Sequence, residues 1–379
     1  MIDRDELAVW LRLLETPGLG RASARKLLAA FGSPEGVLAA PARRRAEVVG
    51  AAAAALLDAP PPELDALLAR TDAWLRKVGG RAIVTLGDDA YPPLLLETAD
   101  PPLLLYAHGR TELLRASGLA VVGSRNPTPQ GRDNARAFAR HFSQAGITVV
   151  SGLALGVDGA AHEGALEATG STIAVVGTGL DRVYPRQHRE LAHRIAEAGL
   201  LVSEYPLGTP PIDTHFPIRN RIIAGLTRGT LVVEAALQSG SLITARLALE
   251  AGRDVFAIPG SIHAPQSRGV HALIKQGAKL VDGAEDVLEE LRGSAATPRS
   301  DRPARSEAVS GGPAATGTAE PARENPLLAA LGYDPVTLDE LVERTGMGPA
   351  ELGARLLDLE LQGHVARLPG QRFQRTARG

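Results

Sequence analysis

Short apolar runs of four or five residues, each closed by a glycine-bearing loop, recur through the middle of the chain. Leu119-Ala120-Val121-Val122 ends in Gly123-Ser124-Arg125. Ile147-Thr148-Val149-Val150 ends in Ser151-Gly152-Leu153-Ala154-Leu155-Gly156-Val157-Asp158. Thr172-Ile173-Ala174-Val175-Val176 ends in Gly177-Thr178-Gly179. Runs so short, with little polar alternation, are the pattern of strands buried on both faces. Helix-like segments follow at 131–145, 159–168 and 188–198. Further strand-like runs at 200–202, 230–233, 254–258 and 279–281 alternate with helices near 220–226, 241–250 and 270–275. This alternation predicts an α/β fold, a doubly wound and mostly parallel sheet. Its small-residue loops gather at one edge, where open sheets of this kind bind ligands. Two earlier runs, 81–86 and 103–107, add strands before the regular alternation begins.

The flanks differ in pattern. Residues 1–78 are rich in Ala, Leu and Arg and predict a small helical domain. Within it, Thr16-Pro17-Gly18-Leu19-Gly20-Arg21 leads into an apolar-periodic helix, the order of a helix-hairpin-helix. Turn amides with Arg21, Arg25 and Lys26 would suit a DNA phosphate. A helical hairpin that only packs is the other reading, and the residues alone leave both open. The core then spans 79–292. Residues 293–325 carry almost no large apolar side chain and predict a flexible linker. From 326 to 379, three short helices and a hairpin around Pro369-Gly370-Gln371 predict a winged-helix-like domain.

Composition narrows the chemistry. The 379 residues are 44% hydrophobic and 22% charged, as in soluble globular chains. The net charge of −2 means that a nucleic-acid site must come from local clustering of Arg and Lys. Aromatic residues make up 3%, which leaves few stacking platforms. With no cysteine there is no thiolate metal site, disulfide or thiol catalysis. Met1-Ile2-Asp3-Arg4-Asp5-Glu6 lacks the basic-then-apolar order of a signal peptide, and no apolar run approaches about 20 residues. The expectation is a cytoplasmic protein without membrane contact.

The loops offer amides, hydroxyls and arginines. Gly123, Ser124 and Arg125 form a turn that can face an anion. Ser151, Gly152, Leu153, Ala154 and Gly156 supply further amides and one hydroxyl, as do Gly177, Thr178 and Gly179. Asp158 precedes a helix and is expected to cap it. His162 is expected to be structural. Arg186 lies just before a helix. Arg219-Asn220-Arg221 sits at another helix start, where one arginine should pair inside the fold and the other face the ligand. Ser239-Gly240-Ser241 opens a further helix. Glu234, at a strand end, reads as a satisfied carboxylate. No P-loop, dinucleotide fingerprint, zincin motif or serine triad is present. The expectation is phosphate binding with no catalytic residue, no cofactor and no metal.

Taken in order, these segments closely resemble the DprA (Smf) family of bacterial DNA-processing proteins. The match rests on Val121 to Arg125, Ser151 to Asp158, Gly177 to Asp181 with Tyr184-Pro185, Ser203-Glu204-Tyr205-Pro206, Phe216 to Ile223, Ser239 to Thr244 and Ile258-Pro259-Gly260. The resemblance implies a Rossmann-like core that binds single-stranded DNA, without known catalysis. It further implies protection of incoming strands in natural transformation and loading of the RecA recombinase. The implied DNA residues are Gly123, Ser124, Arg125 and Arg186. The family commonly has Lys at the last position and often Asn two residues on, where this chain has His188. It also implies a homodimer through 271–280, with His271, Ile274 and Leu280 as contacts. Weak duplex contact could come from the hairpin or from the winged helix, whose Arg367, Arg372, Arg375 and Arg378 make its wing and tail basic. Two rivals are a Rossmann-like nucleotide or nucleoside-phosphate hydrolase, whose usual Pro-Gly-Gly-x-Gly-Thr loop is missing, and a nucleotide-sensing winged-helix regulator.

Overall fold

The computed structural model describes residues 2–77, 79–296, 325–368 and 370–376. Nine strands form one sheet: β1 (Arg81–Thr85), β2 (Leu104–Gly109), β3 (Gly118–Val122), β4 (Thr148–Ser151), β5 (Thr172–Val175), β6 (Leu200–Ser203), β7 (Gly229–Val232), β8 (Asp254–Ala257) and β9 (Lys279–Leu280). Their order is β1-β2-β6-β5-β4-β3-β7-β8-β9. From β6 to β9 all neighbours are parallel; β1 and β2 add an antiparallel edge. The chain winds outward from β3 to β6, then crosses back and continues from β7. The strand order therefore reverses between β3 and β7, and a crevice opens there at their carboxyl ends.

Side-chain alternation explains the two covered faces. Val121, Val149, Leu231 and Phe256 pack with Ala135, Phe142 and Ala160 of the helices Pro129–Gln144 and Val157–Ala165. Their strand neighbours Val122, Val150, Val175 and Val232 face the opposite way, onto Ile222, Ala245 and Ala248 of the helices His215–Gly225 and Gly240–Glu250. Each such side chain, fully buried, contributes about 1.5–3 kcal/mol.

The N-terminal helices share a core with the sheet. Leu7, Trp10, Leu27, Leu67 and Trp74 join Ile83, Leu104, Tyr106 and Leu207 in one apolar cluster. Ion pairs fasten the same junction. Arg21 lies 3.4 Å from Asp100 and 3.0 Å from Glu204; Arg221 lies 2.8 Å from Asp100 and also pairs with Glu204, and Arg25 pairs with Asp100. Burial works against the charge on Asp100, yet Arg221, Arg21 and Arg25 together hold its carboxyl below the usual carboxylate range. Two cations expected at a DNA-facing hairpin are thus engaged inside the molecule. Lys26 alone of the three stays exposed.

The C-terminal unit has the helices Pro326–Leu331, Leu338–Thr345 and Pro349–Leu361 and a three-stranded sheet of Val336–Thr337, Arg372–Arg375 and Val365–Leu368. This is the winged helix that the pattern predicts, with one short strand the pattern does not reveal. The helix Ala284–Ala296 runs into the stretch expected as linker; residues 297–324, with Pro369 and Arg378, lie outside the described residues.

Arg221→Met is expected to destabilise the protein by roughly 3 kcal/mol in urea unfolding, because Asp100 and Glu204 stay partly buried without it. A loss under about 0.5 kcal/mol, the level of an exposed pair, would remove the network as the clamp between these regions.

Candidate nucleic-acid interface

The crevice between the ends of β3 and β7 is a cleft of about 720 Å³. Gly123, Ser124, Arg125, Ala154, Arg219, Asn220, Ser239, Gly240 and Ser241 line it, together with Asp213, Phe216 and Gln238. A smaller hollow of about 80 Å³ continues past Arg125 and Phe216 to Gly152, Leu153, Tyr184 and Pro185. Residues from the loops after β3, β4, β5, β6 and β7, between Gly123 and Ser241 in the chain, thus meet on one surface.

Buried groups shape that surface. Arg219 is 4% exposed. Its guanidinium donates to the carbonyl oxygens of Gly152 at 2.6 Å, Phe216 at 3.3 Å, and Val175. Burial lowers its pKa to about 10, and the charge of Asp158 works in the opposite sense. Glycine at 152 is required because a Cβ there would meet the guanidinium itself. Asp158 does not cap its helix, as its sequence position had suggested; the cap residue is Gly156. It reaches back and accepts hydrogen bonds from the amides of Gly152 at 3.1 Å and Ala154 at 3.3 Å. Burial pushes its carboxyl above the usual range.

His162 completes the loop. Its Nε2 accepts from the Leu153 amide at 3.3 Å, so its Nδ1 carries the proton and donates to Thr172 Oγ1 at 2.7 Å. Burial, with His188 and Arg219 nearby, lowers its pKa to about 3. His188 also turns inward, with Nδ1 3.0 Å from the Leu153 carbonyl. Leu153 itself has φ 60°, a conformation that these opposed hydrogen bonds hold in place.

The β3 loop is stapled by Glu234. The Ser124 amide donates to the Glu234 carbonyl at 2.7 Å, and the Glu234 carboxylate accepts from the Thr128 amide at 2.9 Å and hydroxyl at 2.5 Å. Both carboxylate oxygens are therefore engaged in structure. Ser124 Oγ accepts from Asn126 N–H at 3.1 Å.

These contacts revise the expected phosphate cradle. The amides of Ser124, Gly152, Leu153 and Ala154 all donate within the protein. Ser151 Oγ donates to the Val121 carbonyl, Thr178 is buried, and the Gly179 amide donates to Thr209. Gly156, at φ 83°, has no room for a Cβ against the Ser124 carbonyl. Gly177 lies beneath the Phe216 ring. The helix start at Ser239-Gly240-Ser241 is capped by its own serine, which accepts from the Ser241 amide. Asn220 donates to the Gly240 carbonyl at 3.3 Å. Arg221 is turned away into the ion-pair network, so Arg219 alone of the two arginines reaches the cleft.

What the surface does present is cationic and aromatic. Arg125 is exposed, with its guanidinium 5.9 Å from the Phe216 ring centre. Tyr184 lies 5.4 Å from the same ring at 31° and is 46% exposed. Arg186, also exposed, follows two residues later, beyond the cis Tyr184–Pro185 bond. Tyr184 and Phe216 belong to this surface and are not among the site residues expected from the sequence. Both stand inside the motifs that carry the family resemblance, while an aromatic content of 3% gives no sign that they meet.

The winged helix presents less. The Pro349–Leu361 helix uses its Arg355 to pair with its own Glu351 at 2.7 Å. Arg367 and Arg375 lie over the rings of Phe373 and Tyr333.

Comparison with known proteins is consistent across the chain. The model for DNA recombination-mediator protein A matches residues 82–292, and that for the DprA winged helix domain matches 312–371. The chain belongs to the DNA recombination-mediator protein A family. Protein Smf of Escherichia coli is 46% identical over 299 residues, covering 78% of each chain. The crystal structure of DNA processing protein A from Streptococcus pneumoniae aligns with TM-score 0.66 and 40% identity, over 75% of this chain and 97% of that one. A Helicobacter pylori family member, described for its single-stranded DNA binding mode, aligns with TM-score 0.51 and 33% identity, over 56% and 96%. Family membership and the winged helix agree with the resemblance read from the motifs. Among the described residues, no helix is long and apolar enough to cross a membrane.

The neutral, buried His162 sets a pH dependence. Its folded pKa of about 3 lies below the ordinary histidine value of 6.5, so the unfolded chain binds the extra proton between them. This contribution to stability is complete above pH 6.5 and is lost as pH falls toward 3, by up to roughly 1.4 kcal/mol per pH unit. Chemical unfolding at several pH values is expected to show that slope, and His162→Gln to flatten it; an unchanged slope in the variant would contradict the assignment.

Proposed function

We propose that the crevice and the adjoining Tyr184 hollow bind single-stranded DNA without sequence preference. The observation that carries this reading is the Arg125–Phe216–Tyr184 stack beside Arg186, at the switch point of the sheet. A base has a flat face for the Tyr184 ring, and the flanking phosphates have the exposed guanidinium groups of Arg125 and Arg186. Rings and cations are the two elements that strand binding of this kind needs, whereas a soluble nucleotide phosphate would need the amides that this fold uses internally. Membership of a recombination-mediator family, and a relative described for its single-stranded DNA binding mode, support the same ligand.

The finer role follows the family resemblance: protection of incoming strands in natural transformation and loading of RecA. Catalysis is not part of the proposal. Glu234, Asp158 and His162, the buried acid–base groups of these loops, are each committed to holding them. Residues 1–78, 79–292 and 326–379 are proposed to serve as anchoring region, binding core and accessory domain.

A homodimer through the β9 edge belongs to the same reading and would bring two crevices to one strand, raising avidity. The surface favours Leu280, 48% exposed on the edge strand, as its apolar contact. Ile274 instead packs partly against the core, and His271 Nε2 lies 3.0 Å from the Gly260 carbonyl.

Arg125→Ala and Arg186→Ala are each expected to weaken oligo-dT binding about ten-fold in gel shifts at low salt. Tyr184→Leu should cost about 1–3 kcal/mol and Tyr184→Phe little; equal affinities across all four variants would sink the site. Leu280→Arg is expected to give monomers by light scattering, and a persistent dimer would exclude this edge.

A further inference from the structure

The loops beyond Arg186 lead to a second cationic position supplied by the N-terminal helices. Gly208 follows β6 in a turn at φ 93°, and its amide donates to Asp181 Oδ1 at 2.8 Å. The guanidinium of Arg70 lies across this glycine: a Cβ there would be 3.4 Å from its Cζ and 3.5 Å from each terminal nitrogen. Near-equal distances to these three atoms describe a guanidinium plane laid face-on over the glycine. Arg70 is exposed and forms no ion pair among the described residues, although its helix, Leu64–Leu75, carries acidic residues. Leu67 and Leu68 of that helix pack in the same apolar cluster as Leu207, which fixes Arg70 over the turn.

The turn is laced to the loop that carries Arg182 and Arg186. The Gly179 amide donates to the Thr209 carbonyl at 3.1 Å, the Arg182 amide donates to the Gly179 carbonyl at 3.1 Å, and Ser203 Oγ donates to the Thr178 carbonyl at 2.7 Å. Arg182, like Arg186 and Arg189, is exposed and makes no ion pair among the described residues. Asp181 is the acidic group facing this position, and one of its oxygens is held by the Gly208 amide. Arg125, Arg186, Arg182 and Arg70 therefore follow the carboxyl edge of the sheet from the β3 loop to the turn after β6.

We propose that Arg70 and Arg182 form a second phosphodiester subsite, so that a strand leaving the Tyr184 hollow continues over the Gly208 turn onto the N-terminal helices. The inference rests on the single-strand reading of the crevice and deepens it. It gives residues 1–78 a direct part in binding, through the flank that carries Arg70. The helical hairpin that motif reading points to has its Arg21 and Arg25 committed elsewhere.

Strand length separates the two subsites. Affinities for oligo-dT of about 6 and about 20 nucleotides, measured by fluorescence anisotropy on the full chain, provide the test. Arg70→Ala and Arg182→Ala are each expected to weaken the long oligonucleotide about five-fold and to leave the short one within two-fold, with Arg70→Lys close to wild type on both. Unchanged binding of the long strand in both alanine variants would overturn the second subsite, as would equal loss at both lengths. Arg125→Ala, measured on the short strand, reports on the crevice itself: a clear loss there beside unchanged Arg70 and Arg182 variants removes the extension and keeps the primary site. No loss there removes the primary reading.

Discussion

A single buried guanidinium organises the ligand-facing edge of this sheet. Arg219 reaches from the helix packed on one face and ties the carbonyls that end β4 and β5 to its own helix. A charge at that depth persists only when its donors are satisfied and a countercharge lies near. Asp158 supplies the countercharge and spends its remaining capacity on the amides of Gly152 and Ala154. Gly152 has to be glycine because the guanidinium occupies the place of its Cβ. His162, His188 and Leu153 fill out the same knot. The loop is thereby rigid, and its polar backbone faces inward.

That constraint decides what the edge can bind. A loop whose amides are consumed cannot act as an anion nest, however rich in glycine it is. In the proposed reading, recognition passes to side chains that stand clear of the knot: Arg125, Tyr184, Phe216 and Arg186. Their placement depends on two further devices. Glu234 anchors both ends of the Ser124–Thr128 loop, and the pairs of Arg21, Arg25 and Arg221 with Asp100 and Glu204 hold the N-terminal helices against the sheet. Binding surface and structural frame are thus built from different arginines, although both kinds occur in the same short motifs.

The sheet was legible because apolar runs such as Val121-Val122 and Val175-Val176 report burial directly, and glycines mark where each run stops. The winged helix was legible through its helix and hairpin spacing. The strand order, and with it the crevice between β3 and β7, depends on one crossover that no local pattern encodes. The roles of the polar residues were harder to read. Asp158 and a capping aspartate look alike in sequence; only the fold shows that its oxygens turn back to Gly152 and Ala154. Arg219 and Arg221 are two residues apart on one helix, and which is buried and which is paired follows from partners some 70 and 120 residues away. Arg21 and Arg25 carry the composition of a DNA-binding turn, while Asp100 and Glu204, far along the chain, claim them. Tyr184 and Phe216 meet only in three dimensions.

The most direct test of the central claim is the salt dependence of oligo-dT affinity in the wild type and in the Arg125→Ala/Arg186→Ala double variant. If side-chain cations grip the strand, each lost phosphate contact removes about 0.7 from the slope of log affinity against log salt. The expected result is a slope shallower by about 1.4 in the double variant, the sum of two such contacts, with an unchanged melting temperature. An unchanged slope would mean that the backbone amides or another surface hold the strand, and would contradict it.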